Sequence, residues 1–116
     1  MTMQPGGVWT FRPGVASGSK VVGYSVEAID GRIGKIGSAS DEADAAHLVV
    51  DTGFWIFGKK RLIPAGAITS VVHEDKKVLV AMTKDQIKNA PDYDADTWND
   101  ETRARHGEYY GPYSRY

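Results

Sequence analysis

Short apolar runs, separated by polar or glycine-containing breaks, recur along most of this chain, and this pattern is typical of small β proteins. It predicts about six short antiparallel strands followed by one short helix. The strands are expected at residues 20–29, 32–38, 46–50, 61–64, 68–73 and 78–82, with a turn allowed within the first. Such spacing favours a small sandwich or barrel.

Turn residues stand at the breaks. Asp30 and Gly31 lie between two apolar runs and predict a tight hairpin, because glycine accepts the positive φ that such a turn needs. Gly34 and Gly37 indicate a bulge or a close backbone approach within the next strand. Pro64 predicts a strand end at a sheet edge, since proline cannot donate to the ladder.

The helix is predicted from local signals. Thr83 and Gln86 have the spacing of a capping box, and Ala90 and Pro91 end the helix after about two turns. Residues 92–116 contain no Val, Ile or Leu and read as an acidic, tyrosine-rich tail that can pack on the body without forming a core. Residues 1–19 read as an N-terminal arm, with 8–11 as a short edge strand or an anchor.

Composition limits the function classes. The chain has 116 residues and a formal net charge of −1, so no global field attracts nucleic acid or an anionic membrane. It has no cysteine, which excludes disulfides, thiolate metal sites and cysteine nucleophiles. No apolar window approaches the roughly 18 residues that span a bilayer, and the start lacks signal-peptide features. The expected location is the cytoplasm.

Several segments resemble the PRC-barrel domain over about 70 of the 116 residues. They are Val22-Gly23-Tyr24, Asp30-Gly31-Arg32-Ile33-Gly34-Lys35-Ile36, His47-Leu48-Val49-Val50-Asp51, Leu62-Ile63-Pro64-Ala65-Gly66-Ala67-Ile68 and the stretch from Thr83 to Pro91. The resemblance implies a small β-barrel over residues 20–91 that serves as a protein-binding adaptor, similar to stand-alone bacterial members. Its motifs are structural and none is catalytic. The family also includes the cytoplasmic domain of the photosynthetic reaction-centre H subunit and the C-terminal domain of a ribosome maturation factor.

Candidate chemistry points away from an enzyme. His47, His73 and His106 lack a nucleophile context and metal-ligand spacing, so no catalytic residue is assigned. Metal binding by Asp41, Asp44 and His47 is weaker than their interpretation as a solvated loop. The alternating Asp92, Asp94, Asp96 and Asp100 lack the glycine and glutamate of a calcium loop. The glycines from 31 to 37 lie inside a strand pair, which favours a backbone role over phosphate binding. No cofactor or metal is expected.

The 53–61 segment is the main candidate for binding. If residues 54–57 form a strand, alternate side chains face opposite sides, so about half of these large apolar groups lie outside the barrel and predict an interface. The alternative is that Phe54 and Ile56 pack inward while Trp55 and Phe57 are covered by the chain's own tail or arm. A homodimer would satisfy both. The predicted interface comprises Phe54, Trp55, Phe57, Lys59, Lys60 and Arg61.

The same segment also allows a nucleic-acid hypothesis. Aromatic rings beside Lys59, Lys60 and Arg61 can stack bases and hold phosphates, as in an RNA- or ribosome-associated barrel. The near-zero net charge and the small cationic cluster make nucleic acid the weaker prediction. The expected partner is a protein whose identity the sequence does not specify.

Overall fold

The structure is a computed structural model that describes residues 8–11, 18–42, 45–53 and 60–113. Within these ranges the chain is mainly β, with two α-helices toward its C-terminal end. The strands are β1 (Ser25–Ala28), β2 (Gly31–Ser40), β3 (His47–Asp51), β4 (Lys60–Pro64), β5 (Ile68–Val72) and β6 (Lys77–Val80). The helices are α1 (Lys84–Lys88) and α2 (Asp100–Tyr110), and short 3-10 turns lie at Gly18–Val21, Ala65–Ala67, Ala95–Thr97 and Gly111–Tyr113. No helix in these ranges is long and apolar enough to cross a membrane.

The strands form one sheet in the order β4-β3-β2-β1-β6-β5. Four of the pairings are antiparallel, but β1 and β6 run parallel, so the sheet is mixed. No ladder among the described residues joins β4 to β5. The prediction of an all-antiparallel, closed barrel is therefore corrected to an open mixed sheet.

The open sheet is nevertheless curled. Its edge strands β4 and β5 are joined only by Ala65–Ala67. The four residue steps from Pro64 to Ile68 span at most about 14 Å of extended chain. Across a flat six-stranded sheet the edges would lie about 24 Å apart. The short connection thus requires the two edges to approach each other at one end.

Two bulges in β2 confirm the prediction from its glycines. Val26 pairs with Gly34 and Glu27 with Arg32, which leaves Ile33 as an extra residue. A second register shift falls at Gly37, between the pairs made by Ile36 and Ser38. The predicted hairpin between β1 and β2 is present, but its two turn residues are Ile29 and Asp30, and Gly31, with a positive φ, already pairs with Ala28. The expected strand at 20–24 is wrong, because Gly18–Val21 is a 3-10 turn and the strand begins at Ser25.

The predicted capping box opens α1. The Thr83 hydroxyl accepts from the Gln86 backbone N–H, and the Gln86 side chain accepts from the Thr83 N–H. Helix α2 begins in the same way, with Asn99 and Thr102 bonded reciprocally. This second helix was not predicted, because the tail carries no aliphatic periodicity.

The core lies against the concave side of the sheet and includes part of the tail. Tyr110 is fully buried in this core, so the tail packs on the body as expected and adds one large side chain to the core. The N-terminal arm docks as well, since the carbonyl of Val8 accepts from Gly66 N–H and that of Trp9 from Ala46 N–H. The core side chains include Val26, Ile33, Ile36, Leu48, Val50, Ile63, Ile68, Val78, Met82, Ile87 and Tyr110.

Candidate functional site

The predicted interface segment lies between the ends of β3 and β4. Strand β3 ends at Asp51 and β4 begins at Lys60, and these two residues are paired in the ladder. Phe54, Trp55, Phe57 and Lys59 lie outside the described residues, so their role in an interface stays a prediction. The structure does show where the segment is attached, which is at the end of the β3–β4 hairpin.

Arg61, the last residue of that segment, does not lie on the surface. It is 3% exposed. Its Nε donates to the Ile87 carbonyl at 3.2 Å and its Nη2 to the Lys88 carbonyl at 2.9 Å. Its Nη1 lies 2.7 Å from a carboxylate oxygen of Asp92. The expectation of an exposed Arg61 in a basic rim is corrected, because these contacts use its donors to join β4 to α1 and the tail.

Lys60 belongs instead to a polar row on the outer face of the sheet. The ladders pair Lys60 with Asp51, Asp51 with Lys35, and Lys35 with Ser25. Paired residues on neighbouring strands point to the same face and lie about 5 Å apart. Lys60, Asp51 and Lys35 are all exposed. The row therefore presents charges side by side on three strands, β4, β3 and β2.

The first bulge of β2 brings a second cation next to this row. Ile33 and Ile36 both point into the core although they are three residues apart, because the bulge breaks the two-residue alternation. By the same shift Arg32 and Lys35, also three apart, both become exposed on the outer side. We call the depression they line the basic cleft; it has a volume of about 520 Å³ and is lined by Arg32, Ile33, Gly34, Lys35, Asp51, Thr52, Gly53 and Lys84.

Backbone forms the floor of the basic cleft. A methyl group added at Gly34 would lie 2.1 Å from the Asp51 carbonyl oxygen, so only glycine allows β2 and β3 to approach this closely. At the rim, the Gly53 N–H donates to a carboxylate oxygen of Asp51 at 2.9 Å. Lys84 enters from α1, whose first backbone N–H is held by the Asp30 carboxylate at 2.8 Å. Hairpin turn, bulge and helix start thus fix the cleft together.

Sequence reasoning missed this cleft although its signal was present. The three-residue spacing of Ile33 and Ile36 around Gly34 is itself the mark of a bulge. Because a bulge also shifts the residues that point outward, the same spacing would have assigned Arg32 and Lys35 to one face of the sheet. Lys84 could not have been added, because its approach depends on the packing of α1 against β2.

The candidate histidines divide into two environments. His73 lies at the end of the β5–β6 hairpin, where its Nδ1 is 2.9 Å from the Tyr24 hydroxyl. His47 and His106 are buried on either side of Trp98, whose ring centroid lies 5.3 Å from that of His47 and 5.5 Å from that of His106. With Trp9 and Tyr93 they form what we call the aromatic–histidine cluster.

Burial lowers the pKa of both histidines in this cluster. For His47 the loss of solvation outweighs the hydrogen bond from its Nδ1 to the Ala45 carbonyl at 2.7 Å. For His106 burial again dominates; a hydrogen bond to the Asp92 backbone opposes it, and the charge of Arg105 adds to it. The Nδ1 atom of His106 has no hydrogen-bond partner among the described residues. Both rings are therefore suited to packing in the neutral form.

Metal-ligating groups do not converge in the described part of the chain. No set of three or more His, Asp or Glu side chains there could hold a metal ion. This covers Asp92, Asp94, Asp96 and Asp100, whereas Asp44 lies outside the described residues.

Comparison with solved structures gives a likeness of limited extent. No family model matches the chain, and no curated protein matches it. A crystal structure of a putative 16S ribosomal RNA processing protein RimM from Pseudomonas aeruginosa superposes with a TM-score of 0.49 and 16% sequence identity. The superposition covers 64% of this chain and 47% of that protein, so the chain spans about half its length.

Proposed function

We propose that this chain is a cytoplasmic, non-catalytic binding module of the PRC-barrel type that holds a protein partner and pairs with a second copy of itself. The segments that resemble the family support the type. Gly31 opens β2, Pro64 ends β4, and the Thr83 cap opens α1. Each of these local features lies within a segment that carries the resemblance.

The observation that carries the proposal is the pairing of Asp51 with Lys60. It makes the aromatic run the connection of a hairpin, beyond the last ladder pair of β3 and β4. The described core is made by side chains of the sheet, Ile87 of α1 and Tyr110 of α2. Connections held by a rigid sheet are where binding residues concentrate. Strands β3 and β4 therefore hold the two ends of the predicted interface segment.

RNA is the second candidate, and the basic cleft is the observation that favours it. Arg61 weighs against it, because its buried guanidinium is occupied by three backbone carbonyls and Asp92 and is not available to a phosphate. That leaves Lys60 as the described cation of the 53–61 segment on the surface. The protein-binding proposal loses nothing by the burial of Arg61.

The test combines Trp55→Ala with Phe57→Ser and compares the variant with Ile29→Ser. Ile29 is 69% exposed at the β1–β2 turn and gives a matched apolar surface change elsewhere. Sedimentation velocity and affinity capture from the native cell measure self-association and partner binding. We expect the double variant to lose both and Ile29→Ser to keep both. Unchanged association and capture in the double variant would contradict the proposal, and capture of RNA that weakens steeply with salt would favour the second candidate.

A further inference from the structure

The basic cleft has a charge pattern that the proposed interface does not use. Three cationic side chains, Arg32, Lys35 and Lys84, line it together with a single carboxylate, Asp51. Neither Arg32 nor Lys35 makes an ion pair or side-chain hydrogen bond with the described part of the chain. Because these two exposed cations have no partner in the described part of the chain, the cleft carries a positive charge, although the protein as a whole has a net charge of −1.

The position of the cleft is as informative as its charge. Gly53 lines it at one end, directly before the aromatic run, and Lys60 stands two strands from Lys35 in the polar row. Neighbouring strands are about 4.8 Å apart, so this row extends over about 10 Å from Lys35 to Lys60. Between these two lysines the row carries Asp51, so a ligand lying along it would meet one carboxylate flanked by two cations.

We propose that the basic cleft binds an acidic, extended segment of a polypeptide, with its carboxylates against Arg32, Lys35 and Lys84. The inference rests on the proposed function, since it names the chemistry of the protein partner. Asp51 has a definite part in this arrangement. Its Oδ1 accepts from Gly53 N–H at 2.9 Å, and the carboxylate, which lines the cleft, has further acceptor capacity for a peptide N–H.

This mixture of donors and one acceptor suits a polypeptide better than a nucleic acid. An acidic peptide offers carboxylates and backbone N–H groups along one chain, whereas the phosphate groups of a nucleic acid offer acceptors only and its donors lie on the bases and, in RNA, on the 2′-hydroxyl groups. The described lining of the cleft contains no aromatic ring on which a base could stack. Asp51 would repel a phosphate that it cannot bond.

The experiment measures binding of a fluorescently labelled, glutamate-rich dodecapeptide by anisotropy at low salt. The full chain is compared with Arg32→Ser combined with Lys35→Ser. The matched control combines Lys20→Ser with Lys88→Ser, which removes the same charge from two exposed lysines outside the cleft. We expect the cleft variant to bind about three- to thirtyfold more weakly, the range for two partly solvated ion pairs. The control should stay within about twofold of the parent chain.

Two further probes make the outcome decisive. A dodecapeptide with glutamine in place of glutamate should not bind measurably, and a labelled RNA dodecamer should bind more weakly than the acidic peptide. The inference is overturned if the parent chain does not bind the acidic peptide, if both double variants lose the same amount of peptide affinity, or if RNA binds more tightly than the peptide. If partner capture depends on Trp55 and Phe57 but acidic-peptide binding is unchanged when Arg32 and Lys35 are replaced, the proposed function stands and this inference falls. If acidic-peptide binding depends on Arg32 and Lys35 but the Trp55 and Phe57 variant still captures its partner, this inference stands and the proposed function falls.

Discussion

At the scale of single residues, Gly34 shows why the β2 bulge cannot accept a side chain. The next strand passes so close that an added methyl group would lie 2.1 Å from the Asp51 carbonyl oxygen and 3.1 Å from the Thr52 Cα. These are backbone atoms, which cannot rotate away as the end of a side chain can. Relief would require β2 and β3 to separate at the place where they form the floor of the basic cleft.

We therefore expect Gly34→Ala to lower the free energy of unfolding by about 3 kcal/mol, the upper part of the range for overpacking. Gly37→Ala is the control, because its added methyl group would lie 3.9 Å from the Val49 carbonyl oxygen, an ordinary contact. Urea denaturation followed by circular dichroism measures both. Equal midpoints for the two variants would show that the strands can part without cost.

Residue-level features were predictable where the signal is local. The β1–β2 hairpin, the bulges of β2 and the Thr83 cap are set by residues within a few positions of each other, and all three predictions are confirmed. Arg61 is the opposite case. In the sequence it continues a run of cations, and cations are usually exposed. Its burial depends on carbonyls from α1 and on Asp92, 31 positions away, which no local pattern announces.

At the scale of elements, α2 and the parallel pairing of β1 with β6 lay beyond the sequence. Residues 92–116 contain no Val, Ile or Leu, so an apolar helical period is missing, and only Asn99 and Thr102 mark the helix start. The β1–β6 pairing joins residues about fifty positions apart. Strand direction in such a long-range pair follows from the path of the whole chain and not from the alternation within either strand.

Helix α2 places Tyr110 fully buried in the core cluster. Burial also raises the pKa of its hydroxyl, so the side chain is neutral at physiological pH. We expect Tyr110→Ala to reduce the free energy of unfolding by about 3–4 kcal/mol, since it removes a large buried aromatic group. Tyr113→Ala, at a partly exposed position, should cost about 1 kcal/mol. Thermal and urea unfolding compare the two, and similar losses would mean that α2 is only loosely docked.

At the scale of the whole molecule, the aromatic–histidine cluster joins parts that are distant in the chain. Trp9 comes from the N-terminal arm, His47 opens β3, and Trp98 and His106 come from the C-terminal segment. From the sequence, Trp9 belonged to a possible anchor, His47 and His106 were candidate ligands, and Trp98 was an aromatic residue of the tail. Their convergence follows from the docking of both chain extensions on the same side of the sheet. The cluster is therefore where the stability of the whole molecule should respond to a change in charge.

The charge change within reach is protonation of His47 and His106. Unfolded histidines titrate near a pKa of about 6.5, and burial lowers the pKa of both in the folded protein. Below about pH 6.5 the unfolded state therefore binds more protons than the folded state, and the free energy of unfolding falls as pH falls. The slope should reach at most about 1.4 kcal/mol per pH unit for each histidine, with a plateau above about pH 7. Urea unfolding between pH 7.5 and pH 5 measures this, and His106→Phe should flatten the profile because it keeps an aromatic ring but removes one titrating group. A parent profile with the same slope as that of the variant would mean that His106 is charged as easily inside the cluster as in water.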